Sequence, residues 1–348
     1  MLEVITIDNA NKWDKIIDSF ELKDAYYYSG YQKAFMLHGD GNPILFYYHD
    51  NDTRAINVAM KRDIAKDKNF NGILQENSYF DLATPYGYGG FIVEGKEIEK
   101  LNKEYTSYCK ESDIVSEFVR LHPVLDNKEK LINMYDITTL GPTITMDISD
   151  RDGIWQNFSS KNRNVIRKAQ AANIAIYNGN SQELYDEFIK MYNKTMDKNN
   201  ASNYYYFEQN FYQSIREDFA NNSTMFYAEF EGKIIAMAIM LFANSGMHYH
   251  LSAFDIEYRS KAPTNLLLYK AALWGNKKGC KTFHLGGGVG CKEDSLYSFK
   301  KSFNKNSNTS FSIGKKIFNK ELYQKLVEIR EREDSLENKE TFFPLYRA

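Results

Sequence analysis

A chain of 348 residues is longer than one core comfortably fills, because domains commonly run to roughly 100–200 residues, so two domains are expected. Hydrophobic residues at 43% and charged residues at 26% exclude a disordered chain, and a net charge of −2 excludes a global basic field that would draw it to nucleic acid or an anionic membrane, leaving room only for a local basic patch. Cys109, Cys280 and Cys291 are scattered without CxxC spacing, which excludes a disulfide framework and fits a reducing, cytoplasmic setting.

The run MLEVITIDNANKWDK has no basic region leading into an apolar one, so no signal peptide is expected. No apolar run approaches the roughly 18 residues of a membrane span, which leaves peripheral association as the only membrane contact compatible with the sequence.

From Ala34 to Ile64 the chain reads as extended: AFMLHGDGNPILFYYHD and TRAINVAMKR are β-rich, with a turn at His49–Asp52. YFDLATPYGYGGFIVEG is a strand opening into a loop rich in Gly and Tyr. A helix (KEIEKLNKEYTSYCKESD), a strand (IVSEFVRLHPVL) and a short helix (NKEKLINMY) follow. Gly141-Pro142 reads as a turn between domains. TITMDIS then opens a second series, with one helix from Asp150 to Ala172, the strand IAIYNG, and two Tyr-rich helices, the first capped by Ser181. Residues 223–255 form three strands joined at Glu231-Gly232 and Ser245-Gly246. An apolar helix ending at Gly279, the strand KTFHLGGG, a helix SLYSFKKSF capped by Asp294 or Ser295, a last strand SFSIGKKIF and a closing helix complete the chain. The two series share one plan of hairpin, strand into loop, helix, strand and short helix.

The meander, helix and strand of residues 223–290 have the order of an acyltransferase core, in which one strand splays from its neighbour and a helix start faces a donor phosphate. The turn into that helix is Tyr258-Arg259-Ser260-Lys261-Ala262-Pro263-Thr264. It keeps Arg259 but has Ala262 where a coenzyme A user commonly has glycine, and Pro263 removes an N–H.

HYHLSA (248–253), APTNLLL (262–268), FHLGGGVG (283–290) and DSLYSFKKSF (294–303) resemble the FemABX peptidoglycan-bridge transferases, as do DLATPYGYGG (81–90), EFVRLHP (117–123) and KNRNVIRKA (161–169). The resemblance implies an α/β (α+β) fold of two tandem GNAT-like acyltransferase domains, mixed central sheets flanked by helices. The domains are expected at residues 1–142, joined by a C-terminal helix in 316–348, and at residues 143–315. It also implies transfer of an aminoacyl group from a charged tRNA, or of an acyl group from coenzyme A, to an amine of a nucleotide- or lipid-linked envelope precursor, with no resident cofactor. The alternatives are a coenzyme A-dependent N-acyltransferase of surface polysaccharide assembly and a non-catalytic binding module on the same double fold.

Expected roles follow residue by residue. Lys300, at the family's FK position, with Lys301 behind it, would neutralise a donor phosphate or a developing oxyanion. Asp294 or His284 would serve as base for the amine. Arg259, Thr264 and Asn265 would meet the donor at the helix start, and Gly286, Gly287 and Gly288 would let it approach the backbone. Tyr86, Tyr88 and Tyr249 would line the acceptor side, and Arg163 with Arg167 would fork a phosphate. His248 and His250, two apart on a strand, are expected to share a face. With no carboxylate or cysteine cluster beside them in sequence, no metal site is expected.

Overall fold

The computed structural model describes residues 1–333 and 342–348 and holds two mixed sheets with packed helices. They belong to two units, residues 1–140 with 311–348 and residues 141–310.

The first unit begins with β1 (Leu2–Thr6), α1 (Ala10–Ser19) and α2 (Ser29–His38). Ala34–His38, expected to be extended, thus closes a helix. A short apolar run fits a buried strand and a buried helical turn equally, and Gly39, at φ 99°, ends the helix in the left-handed cap that favours glycine. β2 (Asn42–His49) and β3 (Arg54–Asp63) form the expected hairpin, its turn held by Asp50 Oδ1, which accepts from Asp52 N and Thr53 N at 3.0 and 2.8 Å.

β4 (Phe80–Ala83) and β5 (Ile92–Glu94) pair with the two ends of β3, at Met60↔Ala83 and Ile56↔Ile92. Residues 57–59 of β3 therefore face residues 84–91, and the PYGYGG loop is an outsized bulge in one interrupted strand. α3 (Ile98–Glu111) leads to β6 (Ile114–Leu121), which runs parallel to β4. α4 (Lys128–Leu131) and β7 (Asp136–Pro142) follow. The expected turn at Gly141-Pro142 is the end of β7.

β8 (Ile144–Asp147) opens the second sheet. The helix expected from Asp150 to Ala172 is two, α5 (Arg151–Asn157) and α6 (Ser160–Ala171). The break has a local cause, because Ser159 is extended and its Oγ accepts from Asn162 N at 3.2 Å, starting a new helix. β9 (Ala175–Gly179), α7 (Gln182–Lys198), capped by Ser181 as expected, and α8 (Gln209–Glu217) precede the meander. The meander is β10 (Ser223–Phe230), β11 (Lys233–Ala243) and β12 (Gly246–Phe254). Glu231 and Gly232 both have positive φ, 52° and 76°, the signature of a tight hairpin turn. The next turn falls at Asn244-Ser245, one residue early, because Ala243 pairs with Gly246.

α9 (Pro263–Lys277) packs Leu266, Leu267, Leu268, Ala271 and Ala272 into the second unit's core, and β13 (Thr282–Gly286) and α10 (Ser295–Lys301) follow. β14 (Ser310–Ile317), expected with the second domain, instead pairs antiparallel with β6 in the first sheet. The place beside β13 is already filled, since β13 lies between β12 and β8. α11 (Lys320–Glu333) ends the series; the part of the expected C-terminal segment at 334–341 lies outside the described residues.

Residues 345–348 return to the first unit. Asp81 on β4 is fully buried and accepts from Arg62 Nε at 2.7 Å, Arg347 Nε at 2.6 Å and Tyr346 Oη at 3.0 Å. Tyr346 Oη also meets Ser116 Oγ at 2.8 Å, and Arg347 reaches Asp67 at 2.8 Å. Burial opposes charge on Asp81, but the two guanidinium groups outweigh it and hold the carboxyl below its usual range.

Candidate active site

In the second sheet, β12 and β13 are paired only at Gly246↔Thr282, Met247↔Phe283 and His248↔His284. β12 then continues along β11 to Phe254 without β13. Just past the last shared rung, Met240 faces Tyr249 while Ile239 faces Leu251, which leaves His250 as a one-residue bulge. His248 acts electrostatically on His250 across this bulge, in keeping with the face the two were expected to share. Burial, with His248 adding to it, pushes the His250 imidazole down to about 3, so it is neutral at physiological pH.

The first unit keeps the matching pair closed. Thr84 N donates to Phe118 O at 3.0 Å and Gly89 N to Arg120 O at 2.7 Å, so β6 stays joined to the strand on both sides of the PYGYGG bulge. That loop is set by packing. The Tyr88 ring meets Tyr26, His122 and Phe311 edge-on at 5.5–5.7 Å, and the Tyr86 carbonyl accepts from Tyr31 Oη. Gly87 sits at φ 117°, where a Cβ would stand 2.6 Å from the Tyr26 ring.

At the open end of β13, Lys300 reaches back from α10. The side chain is half-buried and its ammonium donates to Gly287 O at 2.7 Å. Burial pushes the amine down to about 8, against a smaller upward pull from Asp294. Gly286 takes φ 79°, and a Cβ there would lie 3.2 Å from Lys300 Nζ. Gly288 has an internal reason to be glycine: a Cβ would stand 2.0 Å from Lys292 O and 2.4 Å from Asp294 Oδ1. At Gly287 a Cβ would come within 3.0 Å of Pro142 O.

Asp294 is the cap of α10 rather than a base. Its oxygens accept from Tyr297 N at 2.8 Å and Val289 N at 3.0 Å, and these N–H groups hold the carboxyl below its usual range, weakening it as a proton acceptor. Lys301 lies along its own helix, 3.2 Å from Tyr297 Oη.

His284, almost fully buried, is held at Nδ1 by Thr145 Oγ1 at 2.8 Å. Thr145 Oγ1 in turn meets Thr309 Oγ1 at 3.0 Å, and Thr309 meets Thr143 Oγ1 at 3.0 Å. This hydroxyl group under the last rung escaped the sequence reading. Its signal was the spacing of Thr143 and Thr145, which puts both hydroxyls on one face of a strand.

The turn into α9 is well defined. Residues 256–261 make a 3-10 helix, and Ala262, at φ 51°, caps α9 in the left-handed region. Glycine suits that conformation better, so Ala262→Gly is expected to raise stability by about 1 kcal/mol, read as the midpoint of urea unfolding. Ala262 N donates to Arg259 O and Asn265 N to Ala262 O, while Pro263 has no N–H. Among the described bonds, Thr264 N is the N–H of residues 262–265 left over for an anion. The Arg259 side chain is exposed; Asn265 Nδ2 is committed to Asn162 Oδ1, 2.8 Å away on α6. In the first unit the matching α3 starts with Glu97 and Glu99, which repel an anion.

Arg163 does not form the expected fork. Its guanidinium donates to Phe158 O at 3.0 Å, Ser160 Oγ at 3.2 Å and Gln156 O at 3.4 Å, closing the α5–α6 corner. Arg167 is exposed, 5.3 Å over the Trp155 ring. Tyr249 packs against the second unit's core, and burial pushes its phenol up to about 12.

Residues 157–301 match the family model of an acetyltransferase (GNAT) domain. No curated protein matches the chain in sequence. Among solved structures, FemX superposes with a TM-score of 0.68 at 16% identity, covering 92% of this chain and 99% of its own. A conserved protein of unknown function from Bacteroides thetaiotaomicron gives 0.58 at 10% identity, over 90% of this chain and 99% of its own. The C-terminal domain of a putative lysylphosphatidylglycerol synthetase from Agrobacterium fabrum gives 0.52 at 10% identity, over 88% and 90%. The fold is that of two GNAT-like domains in tandem, as the sequence led us to expect. Among the described residues no helix is long and apolar enough to cross a membrane.

Proposed function

We propose that this tandem GNAT-fold chain is an acyltransferase whose second unit moves an aminoacyl or simple acyl group onto an amine of a cell-envelope precursor, with the first unit serving acceptor recognition. The reading rests on the one-sided splay: β12 and β13 part beside Lys300 and the donor turn, while β4 and β6 stay closed. The donor carbonyl lies in the splay, where the backbone beside the His250 bulge offers N–H groups to the oxygen. The amine nitrogen attacks the carbonyl carbon, the tetrahedral intermediate collapses, and the bond to the donor's ester oxygen or thioester sulfur breaks. Lys300 offsets the negative charge that builds on the leaving group, and the amine's proton passes to solvent. Direct attack fits the cysteines, since Cys109 and Cys280 are buried and burial pushes the Cys291 thiol up. His284, held by Thr145, acts here by fixing the last rung.

The donor turn favours an ester of RNA. With Pro263 at the helix start and two neighbouring N–H groups used inside the turn, it suits a single phosphate better than the diphosphate of coenzyme A. The family match and the retained turn geometry favour a second reading, a coenzyme A-dependent N-acyltransferase. Mass spectrometry of an envelope-precursor pool incubated with the protein and each donor class separates them. A mass gain of one aminoacyl group with charged tRNA is the expected result; a gain seen only with an acyl-CoA reverses the donor, and none with either donor removes the enzyme reading.

A further inference from the structure

The chain as a whole carries 46 acidic and 44 basic residues, yet two adjacent helices of the second unit contain no Asp or Glu. α6 (SKNRNVIRKAQA) carries Lys161, Arg163, Arg167 and Lys168, and α9 adds Lys270 and Lys277. The two helices are joined near their starts by the 2.8 Å bond between Asn265 Nδ2 and Asn162 Oδ1. The anchored face of α6 is Asn162, Ile166 and Ala169, all buried. Its outer face shows Lys161, Asn164, Arg167, Lys168 and Gln170, with no large apolar side chain among them. Among acidic groups on neighbouring elements, Asp150 caps α5 and Asp294 caps α10, while Asp152 stands in the first turn of α5 and Glu257 in the turn before α9.

We infer that the outer face of α6 is a docking track for the phosphate backbone of the donor's RNA, leading to the α9 start where the acylated end is held. This rests on the RNA-ester reading of the donor. Three observations carry it. Charge segregation of this kind, in a chain near neutrality, is what a polyanionic partner selects. Lys161 to Lys168 spans about 10 Å along the helix, the reach of a few successive phosphates. The face is polar throughout, so it has nothing to insert into a bilayer, which an interfacial helix requires. The track is also larger than a small nucleotide needs, and the Asn162–Asn265 bond ties it to the donor helix.

The test is fluorescence anisotropy of the whole protein with labelled, deacylated tRNA across a salt series, beside the variant Lys161→Gln/Arg167→Gln/Lys168→Gln. All three side chains are exposed, and glutamine keeps helix propensity, so an unchanged Tm is expected. The variant is expected to bind about 10- to 100-fold more weakly at moderate salt, with a log–log salt slope shallower by about 2 to 3. Equal affinity and slope in wild type and variant overturn the track and leave the donor reading intact. Transfer from acyl-CoA alone, in the mass assay, overturns the donor reading instead. Binding of the wild type to anionic phosphatidylglycerol vesicles but not to tRNA overturns the track in favour of a membrane surface.

Discussion

Replacing Lys300 by methionine is expected to lower kcat/KM for the donor by about 10²- to 10³-fold, the usual loss when one preorganised donor to a developing negative charge is removed. The side chain keeps its length, so packing of the stem survives. What disappears is the ammonium and its 2.7 Å bond to Gly287 O. That bond contributes about 1 kcal/mol to stability, so the variant stays folded. A pH profile separates chemistry from strut. Burial has pushed the amine down to about 8, so the charged form is lost as pH rises through that value, and wild-type kcat/KM should fall on the alkaline side near it. The methionine variant should lack that limb. Activity within a few-fold of wild type, or an unchanged profile, would reduce Lys300 to a support for the Gly287 carbonyl.

The largest expected effect on stability comes from Asp81→Ala. Asp81 is fully buried and takes charge-assisted bonds from Arg62 and Arg347 as well as one from Tyr346. Removing it strands two guanidinium groups, and breaking a buried ion pair from one side costs about 3–5 kcal/mol. The midpoint of thermal unfolding should drop by roughly 10 °C. The sign of the pH dependence follows from the depressed carboxyl. Its stabilisation is fully present above the unfolded-state value near 4 and is lost as pH falls through the lower folded value. Asp81→Asn should therefore flatten the acid limb of the stability curve while leaving much of the hydrogen bonding. An acid limb as steep as the wild type's would mean that other carboxylates govern acid unfolding.

Much of the second unit was legible because its signals are local. Glu231-Gly232 names its turn by residue type, Ser181 and Asp294 name their caps, and Gly279 names a helix end at φ 89°. The errors fell where a neighbour decides. AFMLH is helical where Tyr31 and Phe35 are buried, with Tyr31 bonded to the Tyr86 carbonyl far along the chain. The α5–α6 break depends on one serine that competes for its own backbone. The His250 bulge exists only in the pairing of two strands and leaves no mark in either. The same holds at the site. The FK position drew attention to Lys300 through family resemblance, but its lowered proton affinity comes from enclosure, which no spacing encodes. Arg163 and Asp294 were plausible as ligand groups by residue type alone. The structure commits both to helix ends, the commonest employment of such side chains.

The placement of β14 also bears on synthesis. The second unit is one uninterrupted stretch of chain, residues 141–310, so each of its strands is made before β14. The first sheet must wait for β14 to cover β6, and its Asp81 waits for Arg347, made later still. A growing chain usually consolidates from its N-terminus; here the later-made unit can finish first, while the earlier one keeps an open strand edge until β14 is made. Truncations that end at residue 310 should therefore be recovered with a folded second unit and a protease-sensitive first one.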